Sequence, residues 1–554
     1  MKNNKKIVIE DSYQEFNLNK SRSQINFSFN RSSFILFLFF LIFIIFSLKV
    51  LYFGSIQVDD NIKPIIKENF RSDIIDRNGQ ILAKSILTTN IGIDPKNVIN
   101  KEKLLLNLKI IFPNKNFEKI KKKLNGQKFF YLEKKINPIN YEKIFLLGDK
   151  SFREETKITR IYPQSSLFSH VLGQIDDNNN GISGIERSYD YELRSSEDQL
   201  ILTVDTNIQH LIRQELIYFE DIFNFKGSSS VLMDIHTGEI LSMVSLPDFD
   251  LNKRQEISDL NFINRATKGV YEFGSVFKTF TLAAALQEKI LNIDTQFENL
   301  EKKIWCAGNP ISEYDDDIPS NLTAQEILIR SGNIGSVRIA QKLGIDKFKN
   351  FLIKLGLLNK LDFDIQEVGD PGSLTWGKCK LATTSFGHGI TTTLINLAKA
   401  YAIISNGGTD IEPTLIKKKE NREKKKRILD KKVSEQLNLI LRKVVSSKEG
   451  TAGFANISGY EVGGKTGTAQ KVLNGDYTKE KVNTFVSIFP SSKPKFVLII
   501  LLDEPKPNKE YIYEYKDGSN FKYKGNSRNT AGWTSVEVAG KIIEKIGPIL
   551  ATKY

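Results

Sequence analysis

Tyr271-Glu-Phe-Gly-Ser-Val-Phe-Lys278 opens an apolar stretch that runs on through Thr279-Phe-Thr-Leu-Ala-Ala-Ala-Leu286. A helix starting near Gly274 puts Ser275 and Lys278 on one face, because residues three apart are neighbours on a helix. Ser275 then sits at the helix's positive end, beside unpaired backbone N–H groups. A hydroxyl is a poor nucleophile until a base takes its proton, and an amine serves as that base only when its pKa is lowered. Ser275 is therefore a candidate nucleophile and Lys278 a candidate base. The tetrad alone is weak evidence, since Ser-x-x-Lys recurs at Ser492-Lys-Pro-Lys495 and Ser519-Asn-Phe-Lys522. Neither of those opens an apolar helix.

Two further motifs follow. Ser331-Gly-Asn333 precedes Ile334-Gly335 and a new helical pattern, a turn able to present a hydroxyl beside an amide. Gly463-Gly-Lys465-Thr-Gly-Thr468-Ala is a strand-like run broken by glycines, a pattern that marks close approach of a backbone or ligand. Lys465 supplies positive charge there, and Thr466 and Thr468 supply hydroxyls for a carboxylate. Singly, the first reads as an N-cap and the second as a bulge. In this order, Ser-x-x-Lys, Ser-x-Asn and Lys-Thr-Gly form the signature of serine β-lactamases and penicillin-binding proteins. The wide spacing leaves room for a helical subdomain between the first and last motifs.

Phe34 to Phe53 is almost wholly apolar and, as a helix of about 20 residues, long enough to cross ~30 Å of hydrocarbon. Lys49 can snorkel to the headgroups. Lys2, Lys5, Lys6, Lys20, Arg22 and Arg31 precede it and favour a cytoplasmic N-terminus, with the rest of the chain outside. Asn78-Gly79 between apolar pieces predicts a hairpin over Arg71–Ala83, and His236-Thr-Gly238 predicts a second. Thr206 to Glu220 reads as a helix capped by Asp205 or Thr206. Phe496 to Leu502 reads as a buried strand, and Lys417 to Lys432 as a charged loop leading into a helix. Helices in the middle with strands at both ends predict an α+β domain whose sheet uses both chain ends.

The 554 residues exceed what one core holds, so two or more domains are expected. The net charge of +14 comes from Lys spread along the chain rather than from a patch, and no nucleic-acid-binding motif is present. The four histidines show no ligand spacing, so a metal is not expected. Cys306 and Cys379 are far apart and read either as one disulfide or as two free buried thiols.

From Tyr271 onward the chain resembles a class B penicillin-binding protein. The resemblance takes in the apolar span, the Arg71–Ala83 hairpin, Gly181-Ile-Ser-Gly-Ile-Glu186, Ser385-Phe-Gly-His-Gly389 and Ala531-Gly-Trp533. His170-Val-Leu-Gly173, Thr279-Phe-Thr281 and Thr530-Ala-Gly-Trp533 are most similar to the septal FtsI type. One departure is Phe273, where many relatives have Pro.

The resemblance implies an α+β fold: a cytoplasmic tail (1–33), a transmembrane anchor (34–54), a pedestal (55–220) and a transpeptidase domain (225–554) with an antiparallel sheet and helical subdomain. It implies a catalytic set of Ser275, Lys278, Ser331 and Lys465, and substrate binding by Asn333, Thr466, Gly467 and Thr468. Backbone N–H groups of Ser275 and Thr468 would form the oxyanion hole. No cofactor is implied. Implied partners are peptidoglycan stem peptides, β-lactams as covalent inhibitors, a SEDS-family glycosyltransferase on the membrane helix, and division-complex proteins, at the inner membrane. In the pedestal, Arg71 is expected to pair with Glu186. The alternatives are an elongation-type enzyme of the same class and a membrane-anchored serine β-lactamase, which would need a water-activating residue.

Overall fold

The computed structural model describes residues 6–7, 16–17, 22–55, 70–253, 262–417, 426–473, 475–516, 518–519 and 521–554. The chain separates into two units, Met1–Glu68 and Asn69–Tyr554. In the first, helix α1 (Arg22–Ser55) contains the apolar run Ser33–Tyr52, none of it buried. Twenty unburied, apolar residues of sufficient length to span a bilayer are consistent with a membrane anchor.

The second unit begins with the expected hairpin. Strands β1 (Ile74–Ile75) and β2 (Ile81–Ile93) pair antiparallel across Asn78-Gly79. Gly79 takes a φ of +85°, and Asp76 Oδ1 accepts from the N–H groups of Asn78 and Gln80 at 2.8 and 2.9 Å. Helices α2 (Lys101–Ile111) and α3 (Phe117–Leu124), strand β3 (Phe130–Glu133) and helix α4 (Pro138–Phe145) lead to β4 (Phe152–Ile161), which pairs with β2 from Lys84↔Ile161 to Ile93↔Phe152. This lobe has a small core of its own, including Ile91, Leu104, Leu108 and Leu124. Its base, by contrast, shares the main core through Ile74, Leu82, Tyr162 and Phe168. Strand β5 (Leu200–Ile201) runs parallel to β1.

The main sheet is five-stranded and antiparallel, in the order β10-β11-β12-β6-β7. Its strands are β6 (Gly227–Asp234), β7 (Ile240–Leu246), β10 (Gly463–Leu473), β11 (Asp476–Phe489) and β12 (Phe496–Asp503). Both chain ends therefore supply strands, as the sequence pattern predicts. β12 lies at the centre, in register with β6 from Phe496↔Asp234 to Asp503↔Gly227. All eight of its residues are buried, because helices cover both faces. Helix α5 (Thr206–Phe223), capped by Asp205 through the N–H groups of Asn207 and Ile208, packs on the C-terminal helix α11 (Ser535–Lys553). The expected pedestal limit at 220 thus falls inside a helix that packs with the later sheet.

Between β7 and β10 lie the helices that carry the site: α6 (Lys278–Gln287), α7 (Asn333–Leu343), α8 (Lys378–Thr384), α9 (Leu394–Ser405) and α10 (Lys431–Ser446). The hairpin β8 (Lys303–Cys306)/β9 (Asn309–Ser312) projects from this subdomain. Of the charged loop expected at Lys417–Lys432, residues 418–425 lie outside the described residues, and α10 begins at Lys431. Ser492, the serine of one look-alike tetrad, sits in the turn joining β11 to β12.

Arg71 meets Glu186, as expected, in a larger buried network. Arg71 Nε donates to Glu186 Oε2 and Arg160 Nε to Glu186 Oε1, both at 2.8 Å. Tyr162 donates its hydroxyl to the same carboxylate at 3.2 Å, and Arg71 Nη1 reaches Asp190 at 2.6 Å. Two guanidinium groups share the buried Glu186 carboxylate, and part-exposed Asp190 adds a second one on Arg71. Glu186→Ala strands Arg160 and leaves Arg71 with Asp190 alone, and should cost roughly 3–5 kcal/mol, the range for breaking a buried pair. Thermal unfolding followed by circular dichroism checks this, and an unchanged transition would contradict it.

Candidate active site

Ser275 does not open an α-helix directly. Gly274–Phe277 forms a 3₁₀ turn, and α6 starts at Lys278. The correction has a physical sense: with three residues per turn, positions i and i+3 eclipse, which aligns Ser275 with Lys278 more closely than α geometry does. Residues Val276 to Leu286 are buried, while Ser275 is half-exposed. Tyr401 supports the turn from α9, donating to Val276 O at 3.1 Å and meeting Thr279 Oγ1 at 2.9 Å.

Glycines let backbone meet backbone around the nucleophile. A Cβ on Gly274, whose φ is +55°, would lie 2.6 Å from Thr468 O. One on Gly467 would lie 2.2 Å from Phe273 O, and one on Gly387 would lie 2.0 Å from Gly274 O. Strand β10 and the Ser385–Gly389 segment therefore close on the turn from two sides, at spacings no side chain permits.

The second motif brings the two lysines together. Ser331 adopts a left-handed backbone with φ of +61°. Lys278 Nζ donates to Ser331 O, to Ser331 Oγ at 3.2 Å and to Asn333 Oδ1 at 2.7 Å. Lys465 Nζ reaches the same Ser331 Oγ at 2.8 Å from the opposite side, with Thr466 O at 3.2 Å. None of the hydrogen bonds described for Lys278 reaches Ser275. Both lysines are buried. Burial lowers the Lys278 pKa to about 7, against an opposing pull from the Glu313 carboxylate. Burial and the charge of Lys278 hold Lys465 well below the usual lysine range.

The threonines of the third motif line the same strand. Thr466 Oγ1 lies 2.7 Å from Thr451 Oγ1, and Thr468 Oγ1 accepts from Ala531 N at 2.9 Å. Thr468 is half-exposed and Thr466 buried. All eight sequence-predicted residues (Ser275, Lys278, Ser331, Asn333, Lys465, Thr466, Gly467 and Thr468) thus belong to one constellation. Two features were not legible beforehand. Glu313 accepts from Asn333 N and Ile334 N at 2.6 and 2.9 Å. Cys306 and Cys379, open between a bridge and free thiols on sequence alone, form a disulfide.

The family model of the penicillin-binding protein transpeptidase domain matches residues 228–521, and that of the penicillin-binding protein dimerisation domain matches residues 67–216. The chain is a class B penicillin-binding protein. It is 30% identical over 503 residues to a probable peptidoglycan D,D-transpeptidase FtsI of Caulobacter vibrioides, covering 88% of this chain and 82% of that one. It is 29% identical to the peptidoglycan D,D-transpeptidase FtsI of a Buchnera aphidicola strain, covering 84% and 87%. Stage V sporulation protein D of Bacillus subtilis is 30% identical, covering 79% and 74%. A peptidoglycan synthetase structure from Bifidobacterium adolescentis shares the fold, with a TM-score of 0.64 at 20% identity over 88% of this chain and 96% of that one. As a member of its class, this penicillin-binding protein is a serine-type, penicillin-sensitive peptidoglycan D,D-transpeptidase.

If Lys278, with a pKa of about 7, is the base for Ser275, it is competent only above that value, where it is neutral. Acylation by a fluorescent penicillin should rise with pH through about 7 and fall roughly tenfold per unit below about 6. Stopped-flow labelling across pH 5.5–9 measures this; a flat profile excludes Lys278 as the titrating base.

Proposed function

We propose that this chain cross-links peptidoglycan stem peptides through a Ser275 acyl-enzyme, anchored by α1 with its catalytic domain outside the cytoplasm, during septal wall synthesis. The observation that carries the chemistry is the hydroxyl of Ser331 held between Lys278 and Lys465 beside the nucleophile turn. Ser275 Oγ attacks the carbonyl of the penultimate D-Ala while its proton passes to neutral Lys278. The oxyanion that forms is received by the backbone N–H groups of Ser275 and Thr468, which the glycine contacts bring together; one such donor is worth roughly 3–4 kcal/mol in other acyl-transfer enzymes. The C–N bond breaks, and Ser331 and Lys465 relay a proton to the departing D-Ala amine. Asn333 holds the substrate amide, and Thr466 and Thr468, with Gly467 between them, receive its carboxylate. An amine from a neighbouring stem peptide then takes the acyl group, freeing Ser275 and leaving a 4,3 cross-link. A β-lactam enters the same path and stops at the acyl-enzyme.

The septal reading is supported by the relatives named FtsI, whose likeness runs through the pedestal as well as the catalytic domain. A relative named for sporulation matches at equal identity, so likeness alone does not separate the roles and location decides. A SEDS-family glycosyltransferase on α1 and division proteins on the pedestal complete the proposal, and the basic residues before the span favour a cytoplasmic N-terminus.

Ser275→Ala should abolish covalent penicillin labelling while leaving the thermal transition in place; persistent labelling overturns the assignment. A fluorescently tagged chain should gather at midcell, and depletion should give filaments. Round cells and lateral localisation would point to elongation instead.

A further inference from the structure

Asn333 has a partner outside the three motifs. The Glu313 carboxylate takes the N–H groups of Asn333 and Ile334 at 2.6 and 2.9 Å, capping the first turn of α7 from another element. Asn333 Nδ2 donates to Ser312 O at 2.8 Å, the residue just before Glu313. With Nδ2 held there, Oδ1 is turned to Lys278, 2.7 Å away. The end of β9 and the residue after it therefore fix both the side chain and the backbone of Asn333.

The hairpin carrying that segment has little packing of its own. Along β8 and β9 only Ile311 is buried, and Trp305 is 65% exposed. Two strands alone are marginal in water. The tip is tied elsewhere: Cys306, at the end of β8, is bonded to Cys379 in α8. Helix α8 packs on α7 and ends beside Ser385, whose carbonyl accepts from Thr281 Oγ1 of α6 at 2.8 Å. The bridge thus connects the hairpin to the helix that carries Lys278.

We propose that Glu313 is a positioning residue for the Ser331-Gly-Asn333 turn and, through it, for Lys278, and that the Cys306–Cys379 bridge keeps its hairpin seated. The proposal rests on the reading of Ser275 as the acylated residue. Three titratable groups face Lys278: Glu313 after β9, Lys465 on β10 and His388 beyond α8. Burial holds His388 down to about 4, so it is neutral at physiological pH. Glu313 is the group that favours the ammonium form, opposing burial. Its removal has two separable effects: loss of two hydrogen bonds to the turn, and a lower pKa for the base.

The test is the rate of penicillin acylation against pH, on the full chain in detergent, with the adduct mapped by mass. Glu313→Ala should acylate roughly tenfold more slowly, the loss expected when hydrogen bonds to a charged acceptor are removed. Its acid limb should move to lower pH. Glu313→Gln, which keeps one acceptor and loses the charge, should recover most of the rate but keep the shifted limb. Native protein reduced by a phosphine should slow several-fold, whereas Cys306→Ser/Cys379→Ser should be slow from the start and indifferent to the phosphine. If Glu313→Ala does not fold by circular dichroism, the Gln variant and the reduced native protein carry the test. A native rate in reduced protein whose two thiols are confirmed by mass, or an unshifted limb in Glu313→Gln, overturns the proposal. An adduct on any residue other than Ser275 overturns the underlying assignment instead.

Discussion

Two lysine side chains buried around one hydroxyl set the terms for this site. Lys278 and Lys465 both reach Ser331 Oγ, and two full ammonium charges at that distance in a dry interior repel strongly. Burial lowers both amines from the usual lysine range, and the charge of Lys278 lowers Lys465 further. An ammonium has three hydrogens, and Lys278 has three acceptors for them: Ser331 O, Ser331 Oγ and Asn333 Oδ1. In that state nothing is left for Ser275. Losing one proton would turn a satisfied donor into a lone pair beside the Ser275 turn, so resting order and the proposed base function belong to two protonation states of one group.

The fold serves this by bringing three distant segments to one point. The central strand β12 anchors β11, which presents β10 and hence Lys465. Ser331 is held in a left-handed conformation that a non-glycine residue rarely takes, at a cost of order 1–3 kcal/mol. Its carbonyl and its hydroxyl both bond Lys278, so the strained turn is fixed by the group it must hold. Gly274, Gly387 and Gly467 answer a different need. They let three backbones meet where even a methyl group would overlap a carbonyl oxygen.

Much of this was legible in the sequence because each requirement is local. Ser275 and Lys278 stand three apart in one motif, apolar runs mark buried strands, and Asn78-Gly79 marks a tight turn. The sheet built from both chain ends follows from the same patterns. The 3₁₀ turn at Ser275 was not legible, since a three-residue spacing suits 3₁₀ and α geometry alike. Glu313 was invisible because its partners lie at the start of α7, and an acidic residue among Tyr314, Asp315 and Asp316 looks like solvated charge. The disulfide spans 73 residues, and pairing at that range has no sequence signature. The same holds for Arg160 and Asp190, which join Arg71 and Glu186 only once the pedestal has folded.

Phe273 shows how packing can replace a covalent constraint. Proline fixes φ near −65°, and many relatives place it just before the glycine of the nucleophile turn. Here Phe273 sits at φ −100°, outside the range a pyrrolidine ring favours. Its ring is buried and meets Tyr271 edge-on, with centroids 6.1 Å apart. Its carbonyl lies so close to Gly467 that the backbone of β10 limits the turn from above. A buried aromatic side chain and a neighbouring strand thus hold this turn at a φ that a proline ring would not favour. The contact that Phe273 makes with β10 runs through its backbone, which any residue at this position supplies.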